Sequence, residues 1–150
     1  MIRDIIQAPD AHLLKPSIPV RVAEDGDFPV DVYRVMKDLM DTRARGEGPG
    51  LAAVQIVEHI NIVAVDPEIF YGFTVLVNPD ITRRGKEVVT EFEGCMSIGR
   101  GQPRFLVRRH RVVTVKFLDH NGVERMTLAK GLPARLVQHE LDHLQGKLIA

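Results

Sequence analysis

Residues 138–146 read Gln-His-Glu-Leu-Asp-His-Leu-Gln-Gly and contain two histidines four positions apart, with a glutamate directly after the first. Residues i and i+4 share one face of an α-helix, so His139 and His143 can bind one metal ion. Glu140 is then placed to reach a water molecule beside the ion rather than the ion itself. A helix with two surface histidines gives the same short pattern, so the motif alone does not decide between the two readings.

The sequence around this motif predicts a helix with one face in the hydrophobic core and a neighbouring face at the metal site. Pro133 suits a first helical turn, where its missing N–H is not needed, and Gly146 suits the position just past a helix end. Apolar residues recur at helical spacing and predict a buried stripe: Ala134, Val137, Leu141 and Leu144. The two histidines lie on a neighbouring face.

A catalytic site of the zinc type needs a third protein ligand and one open coordination position. No acidic residue follows His143, and the position where an extended motif would place a third histidine is Ile149. The third ligand must therefore come from upstream, where Cys95 is the only cysteine and its thiolate would bind a transition metal strongly. A lone cysteine is otherwise a small buried hydrophobe. The remaining upstream candidates are His12, His59, His110 and His120.

Three motifs give the chain a resemblance to the peptide deformylases, which remove the formyl group from the N-terminal methionine of new proteins. In the family's order they are Gly-Pro-Gly-Leu-Ala-Ala-Val-Gln at 48–55, Glu-Gly-Cys-Met-Ser at 93–97, and residues 138–146. Residues 2–6 and 77–79 also resemble the family. The resemblance therefore covers nearly the whole chain.

The resemblance implies one divalent metal ion, Fe(II), which Zn(II) or Ni(II) can replace on isolation. Its implied ligands are Cys95, His139 and His143. Glu140 would be the general base, and the Gln55 amide and the Met96 backbone N–H would stabilise the developing oxyanion. An Fe(II)–thiolate centre is expected to be sensitive to oxygen.

The resemblance also suggests contacts away from the ion. Gly50 and Leu51 would line the substrate cleft, and Arg104 would approach the substrate backbone or its C-terminal side. Approximate alignment further predicts that Arg109 pairs with Asp142 on the metal-binding helix. The expected partner is a formylmethionyl peptide.

Length and composition predict one globular domain over residues 1–150, since 45% of residues are hydrophobic and 27% charged. The formal net charge is zero, which argues against direct nucleic-acid binding, and the five arginines between 100 and 111 are interpreted as solvated strand residues. No apolar run approaches the ~20 residues that span a membrane, and no signal peptide is recognisable. One free cysteine suits a reducing compartment, so a cytoplasmic location is expected.

The predicted fold class is α+β, with antiparallel sheets packed around the metal-binding helix and an N-terminal helix at residues 29–45. Short strands are predicted at 61–65, 73–77, 87–92 and 123–129, and residues 105–118 are predicted as a pair of strands or one bent strand. Asn121-Gly122 predicts a hairpin with a type I′ turn.

Some positions depart from the family pattern. Met96 stands where leucine is common, Gly99 replaces a usual proline, and Pro49 lacks a backbone donor that an extended peptide could use. The preference for particular peptides is therefore open. Many relatives carry a C-terminal helix that docks on the ribosome, whereas this sequence stops at Ala150, so docking through that element is not expected. Two other functions stay open: an enzyme with a different N-acyl or peptide substrate, and a structural metal module.

Overall fold

The computed structural model describes residues 1–46 and 48–150. Its helices are α1 (Val30–Arg45) and α2 (Leu132–Leu144). Its strands are β1 (Gly50–Ala52), β2 (Ile62–Val65), β3 (Val75–Arg84), β4 (Val88–Glu93), β5 (Phe105–His110), β6 (Val112–Leu118) and β7 (Glu124–Lys130). Short 3-10 segments lie at Ala11–Leu14, Ala53–Ile56 and Gly99–Gly101.

The main sheet is antiparallel and separates the two helices. Its strand order is β1-β2-β3-β6-β7. Successive strand residues point to opposite faces, so Ile62 and Ala64 belong to the core on the α1 side, while Val63 and Val65 belong to the core on the α2 side. The predicted α+β architecture, with antiparallel sheets around the motif helix, is confirmed.

The second sheet has two strands, β4 and β5, and lies against α2. The antiparallel register runs from Val88 opposite His110 to Glu93 opposite Phe105. Gln138 on α2 joins the helix to this sheet, because its side chain accepts a hydrogen bond from the His110 N–H at 3.0 Å and donates one to the His110 carbonyl at 2.8 Å. These hydrogen bonds hold the two-stranded sheet against α2, so the segment that follows β4 lies next to the helix that carries the motif.

The strand predicted at 73–77 begins later and runs further, as β3. It continues past Asn78, which has a positive φ of 50°, and its register with β6 shifts between Val77 and Asp80. Pro79 is accommodated because it falls at that irregularity, where no ladder donor is needed. The segment 105–118 divides into β5 and β6, which belong to different sheets.

The hairpin between β6 and β7 forms as predicted, but its turn is not type I′. Asn121 does not have the positive φ that such a turn requires, whereas Gly122 does, at 78°. The turn begins at Asp119, whose carbonyl accepts from the Gly122 N–H and whose side chain accepts from the N–H groups of Asn121 and Val123. Neither helix is long and apolar enough to cross a bilayer within the described residues.

Candidate metal centre

The two motif histidines lie together on α2, as the helical spacing predicts. The helix starts after Gly131, with Pro133 in its first turn, and Gly146 lies beyond its last turn with a φ of 78°. The Nε2 atoms of His139 and His143 are 3.2 Å apart. Both imidazoles therefore offer a nitrogen to the same point.

Cys95 reaches that point from the loop after β4. Its Sγ lies 3.3 Å from the His143 Nε2, and the ligand atoms of Cys95, His139 and His143 all lie within 4.8 Å of one another. A thiolate with two imidazoles is a donor set that suits Fe(II), Zn(II) or Ni(II). Within residues 1–46 and 48–150 this cluster holds three ligands and no fourth, so these residues fit an ion that keeps a position open.

The other upstream candidates lie elsewhere. His12 and His59 contact each other, with 3.2 Å between Nδ1 and Nε2. His110 lies with its Nδ1 2.8 Å from the Gly85 carbonyl, and His120 is exposed in the β6–β7 turn. Among the upstream candidates, the fold thus brings Cys95 to the motif histidines, as expected.

Glu93 is the carboxylate that orients the first histidine. Its Oε1 lies 3.0 Å from the His139 Nδ1, which leaves Nε2 directed at the cluster. Burial raises the pKa of Glu93, but hydrogen bonds from His139 and Arg109 outweigh burial and hold that pKa at about 2. The side chain is therefore a carboxylate at neutral pH.

Arg109 joins β5 to both Glu93 and α2. Its Nη1 lies 2.6 Å from a carboxylate oxygen of Asp142, which confirms the predicted pairing. Its Nε and Nη2 contact the two oxygens of Glu93 at 3.1 and 3.0 Å. Burial lowers the pKa of Arg109, but Glu93 and Asp142 raise it by more, so the guanidinium stays charged.

The two histidines have opposite electrostatic surroundings. Burial, reinforced by the charges of His139 and Arg109, lowers the pKa of His143 to about 3. Burial also lowers the pKa of His139, but hydrogen bonds to Cys95 and Glu93 outweigh it and raise that pKa to about 10. The surroundings of His139 therefore favour a positive charge at the cluster.

Glu140 lies beside the cluster and is 2% exposed. Burial raises its pKa to about 7, against the opposing charges of His139 and Arg109. Its Oε1 is buried without a hydrogen-bond partner among the described residues. Because a buried unpaired oxygen is costly, this atom is placed to accept a proton or a hydrogen bond from a molecule in the site.

Gln55 and Met96 line the same cavity as Cys95 and His139. The Gln55 side chain is fixed at both ends: Oε1 accepts from the Ala52 N–H at 2.9 Å, and Nε2 donates to the Ser97 Oγ at 2.9 Å. An amide has two N–H donors on nitrogen, so one remains for the site. Among the main-chain hydrogen bonds of the described residues outside the helices and strands, none uses the Met96 N–H.

A cavity of about 320 Å³ opens over the cluster. The predicted site residues in its wall are Gly50, Gln55, Cys95, Met96, Arg104, His139 and Glu140. Leu51 differs from the expectation, because its side chain is 1% exposed and packs in the core on the α1 side. His143 lies behind the wall at 1% exposure.

Four residues support the site in roles that the sequence did not predict: Glu93, Ser97, Arg135 and Gln138. Glu93, Ser97 and Gln138 lie within the motifs quoted above, but no role was predicted for them. Arg135 carried one usable signal, since it lies four positions before His139 and therefore on the same face of the helix. The side chains of Glu93 and Ser97 meet residues 46 and 42 positions away, which no local pattern indicates.

Comparison with known proteins places these features in one family. The sequence profile of the polypeptide deformylase family matches residues 2–150. The peptide deformylase of Rickettsia prowazekii (strain Madrid E) is 35% identical over 157 aligned positions, which cover 99% of this chain and 85% of that protein. That of Rickettsia canadensis (strain McKiel) is 36% identical with the same coverage.

Two solved structures resemble the fold closely. The class I type b peptide deformylase from Acinetobacter baumannii, bound to K1U, superposes with a TM-score of 0.87 at 30% identity and covers 99% of this chain and 97% of its own. The peptide deformylase from Ehrlichia chaffeensis in complex with actinonin gives a TM-score of 0.86 at 31% identity, covering 99% and 86%. The chain belongs to the polypeptide deformylase family.

Proposed function

We propose that this chain hydrolyses the N-formyl group of the N-terminal formylmethionine of newly made polypeptides and releases formate. The observation that carries the proposal is the convergence of one thiol and two imidazoles within 4.8 Å, with Cys95 and His139 in the wall of a cavity that Glu140 and Gln55 also line. Membership in the family supports the same reaction.

The residues that would hold the metal are Cys95, His139 and His143, and we infer that the native ion is Fe(II), with Zn(II) or Ni(II) as replacements. When bound, such an ion supplies Lewis acidity, which polarises a carbonyl and makes water acidic near neutral pH. Glu93 supports this assignment, because it fixes the orientation of the His139 ring through Nδ1.

Glu140 handles the proton. It accepts one from the attacking water and passes it to the leaving amine, so it acts first as a base and then as an acid. Burial raises the pKa of Glu140 to about 7, close to the operating pH, and a cation held by the neighbouring ligands would lower it again. The carboxylate form is then available at neutral pH.

The Gln55 amide and the Met96 N–H donate hydrogen bonds to the negative charge that develops on the formyl oxygen. One such donor is worth ~10²–10³ in kcat. Gly50 and Arg104 line the cavity, and we propose that they contact the peptide there. Any contribution of Leu51 comes from its main chain, since its side chain lies in the core.

A structural metal module is the weaker alternative. Structural sites are normally closed by a fourth protein ligand, and the cluster in the described residues has three. We take residues 1–150 as one catalytic domain that works in the cytoplasm on peptides released from, or still attached to, the ribosome.

The test measures the free amine released from formyl-Met-Ala and from acetyl-Met-Ala, with formate as the second product of the first and acetate of the second, by protein loaded anaerobically with iron. We expect turnover of the formyl peptide only. Turnover of the acetyl peptide alone would indicate a different N-acyl substrate, and turnover of neither would favour the structural module. Loss of activity on exposure to air would support iron over zinc.

A further inference from the structure

Arg135 is a buried cation that the proposed reaction does not use. It lies on α2 one turn before His139, is 7% exposed, and borders the cavity next to Leu132 and Leu136. Burial of a charge is tolerated only where partners surround it. The partners of Arg135 therefore indicate what it holds in place.

The guanidinium joins α2 to both strands of the two-stranded sheet. Nη1 donates to the Val89 carbonyl on β4 at 2.9 Å, and Nη2 donates to the Val107 carbonyl on β5 at 2.7 Å. A longer contact of 3.4 Å reaches the Glu91 carbonyl. A single side chain of α2 is thus hydrogen-bonded to both strands of the sheet that precedes the Cys95 loop.

Arg135 also completes the surroundings of Glu93. A carboxylate has about four acceptor sites, and four donors approach this one. Oε1 meets the Arg109 Nη2 and the His139 Nδ1, both at 3.0 Å. Oε2 meets the Arg109 Nε at 3.1 Å and the Arg135 Nη2 at 2.8 Å. Three hydrogen bonds, from Arg109 and His139, and the ion pair with Arg135 hold the carboxylate in one orientation, and the His139 ring that it contacts is held with it.

We propose that Arg135 is a positioning residue of the metal centre, which sets where the Cys95 thiolate meets the two imidazoles. The ligands come from two elements: Cys95 follows β4 two residues after Glu93, and His139 and His143 belong to α2. Arg135 connects these two elements directly. The inference rests on the metal centre proposed above.

Lysine cannot replace arginine in this role. An ammonium group is a single point of charge, whereas the planar guanidinium presents donors in a fixed fork that reaches two carbonyls and a carboxylate at once. Arg135→Lys therefore keeps the charge and loses the geometry, and Arg135→Met loses both. The matched controls are Arg111→Lys and Arg111→Met, since Arg111 is half-exposed and meets Glu87 only at 4.0 Å.

The experiment loads each variant with Co(II) and measures its affinity by competition with a chelator and its sulfur-to-cobalt charge-transfer band. We expect both Arg135 variants to bind cobalt ~10- to 100-fold more weakly, the range found for residues that orient metal ligands, and to shift the band. At saturating metal, kcat on formyl-Met-Ala should fall by more than KM changes, because the proposed substrate contacts at Gly50 and Arg104 are kept. The Arg111 controls should match the wild-type protein.

Wild-type affinity and an unchanged band in both Arg135 variants would overturn the positioning role and leave the metal centre intact. If Arg135→Met does not fold, Arg135→Lys decides by the same measurements. If neither variant folds by circular dichroism, Arg135 is purely structural and the inference is wrong. If the band is missing from the wild-type protein, the proposed metal centre fails first, and the positioning role fails with it.

Discussion

Glu140 combines two properties that a proton carrier needs. It is buried against the β1 strand, and it keeps one carboxylate oxygen without a partner among the described residues. Its pKa of about 7 follows from burial, which disfavours the charged form. The pKa of this carboxyl group is thus close to the pH at which it must both accept and donate a proton.

Glu140→Gln is expected to keep the metal and lose the reaction. The amide has nearly the same shape but cannot accept a proton, so kcat should fall by ~10²–10⁴. Steady-state kinetics on formyl-Met-Ala, with metal content measured on the same samples, checks this. A variant with kcat within about twofold of the wild type would remove Glu140 from the proton-transfer role.

Gly50→Ala is expected to displace the Glu140 side chain, because the new methyl group would need the space next to its carboxylate. A Cβ on Gly50 would lie 2.6 Å from the Leu136 Cδ1 and 2.7 Å from the Glu140 Oε2, so those side chains must move. Small displacements of reacting groups are costly, and kcat should fall by about 10- to 100-fold. Gly46→Ala is the control, because its nearest new contacts are 3.7 Å away. Equal kcat values for the two variants would contradict the crowding argument.

At the scale of single residues, the sequence predicted those whose roles follow from local spacing. His139, Glu140 and His143 form one helical motif, and Cys95 is the only cysteine. The packing of Leu51 was not predicted, because neighbouring residues in β1 face different layers of the fold. Nor was the Gln55–Ser97 contact, which joins residues that only the folded chain brings together.

At the scale of elements, α2 serves the core and the site at once. Its apolar stripe, which includes Val137 and Leu141, packs against the main sheet, and its histidine face meets the loop after β4. The β6–β7 hairpin is the other element whose local chemistry decides its shape. There Asp119, 3% exposed, accepts from two backbone N–H groups and from the Arg125 Nε at 2.9 Å.

The contribution of Asp119 to stability is expected to depend on pH. Burial raises its pKa, but hydrogen bonds from Arg125, Val123 and Asn121 lower it by more, so the folded pKa is below the unfolded value of about 3.9. The stabilisation is therefore present above about pH 4 and is lost as pH falls through the folded pKa. Asp119→Ala should cost about 2 kcal/mol in the free energy of unfolding at pH 7, since hydrogen bonds to charged groups are worth ~1.5–3 kcal/mol.

Urea unfolding at pH 7, 5 and 3 checks this expectation. The difference between the wild type and Asp119→Ala should shrink towards pH 3. Asp119→Asn distinguishes the backbone hydrogen bonds from the ion pair with Arg125, because its amide oxygen still accepts from the backbone while the charge is gone. Asp4→Asn, at an exposed position, is the control. A difference that is constant across pH would show that the charge of Asp119 is not involved.

Element positions were largely predictable from periodicity, and the errors have local causes. The helix at 29–45 matches α1 to within one residue. The extension of β3 past Pro79 was missed because proline usually ends a strand, whereas here a register shift accommodates it. The predicted turn type was wrong because the turn begins at Asp119, whose carbonyl and side chain accept hydrogen bonds from the backbone, and not at the residue before Asn121.

At the scale of the molecule, the proposed metal centre lies where the two sheets, each with its own ladder of strand hydrogen bonds, meet at α2. α2 is packed on the five-stranded sheet, while Cys95 follows the two-stranded sheet. The strand order could not be predicted from the sequence, because the pairing of β3 with β6 joins segments separated by β4 and β5. An ion held by both units should therefore stabilise the whole fold.

Removal of the metal is expected to lower Tm. An ion at 100 times its Kd stabilises the folded state by about 2.7 kcal/mol, which corresponds to about 5–10 °C for a chain of this size. Thermal unfolding with and without a chelator checks this, and Cys95→Ser should reduce the difference. A Tm that does not respond to the chelator would contradict a bridging ion.

X-ray absorption at the zinc edge of zinc-loaded protein identifies the atoms that surround the ion. We predict one sulfur at about 2.3 Å and two imidazole nitrogens at about 2.0–2.1 Å, together with oxygen from solvent. A spectrum without sulfur, or one with four protein ligands, would contradict the account.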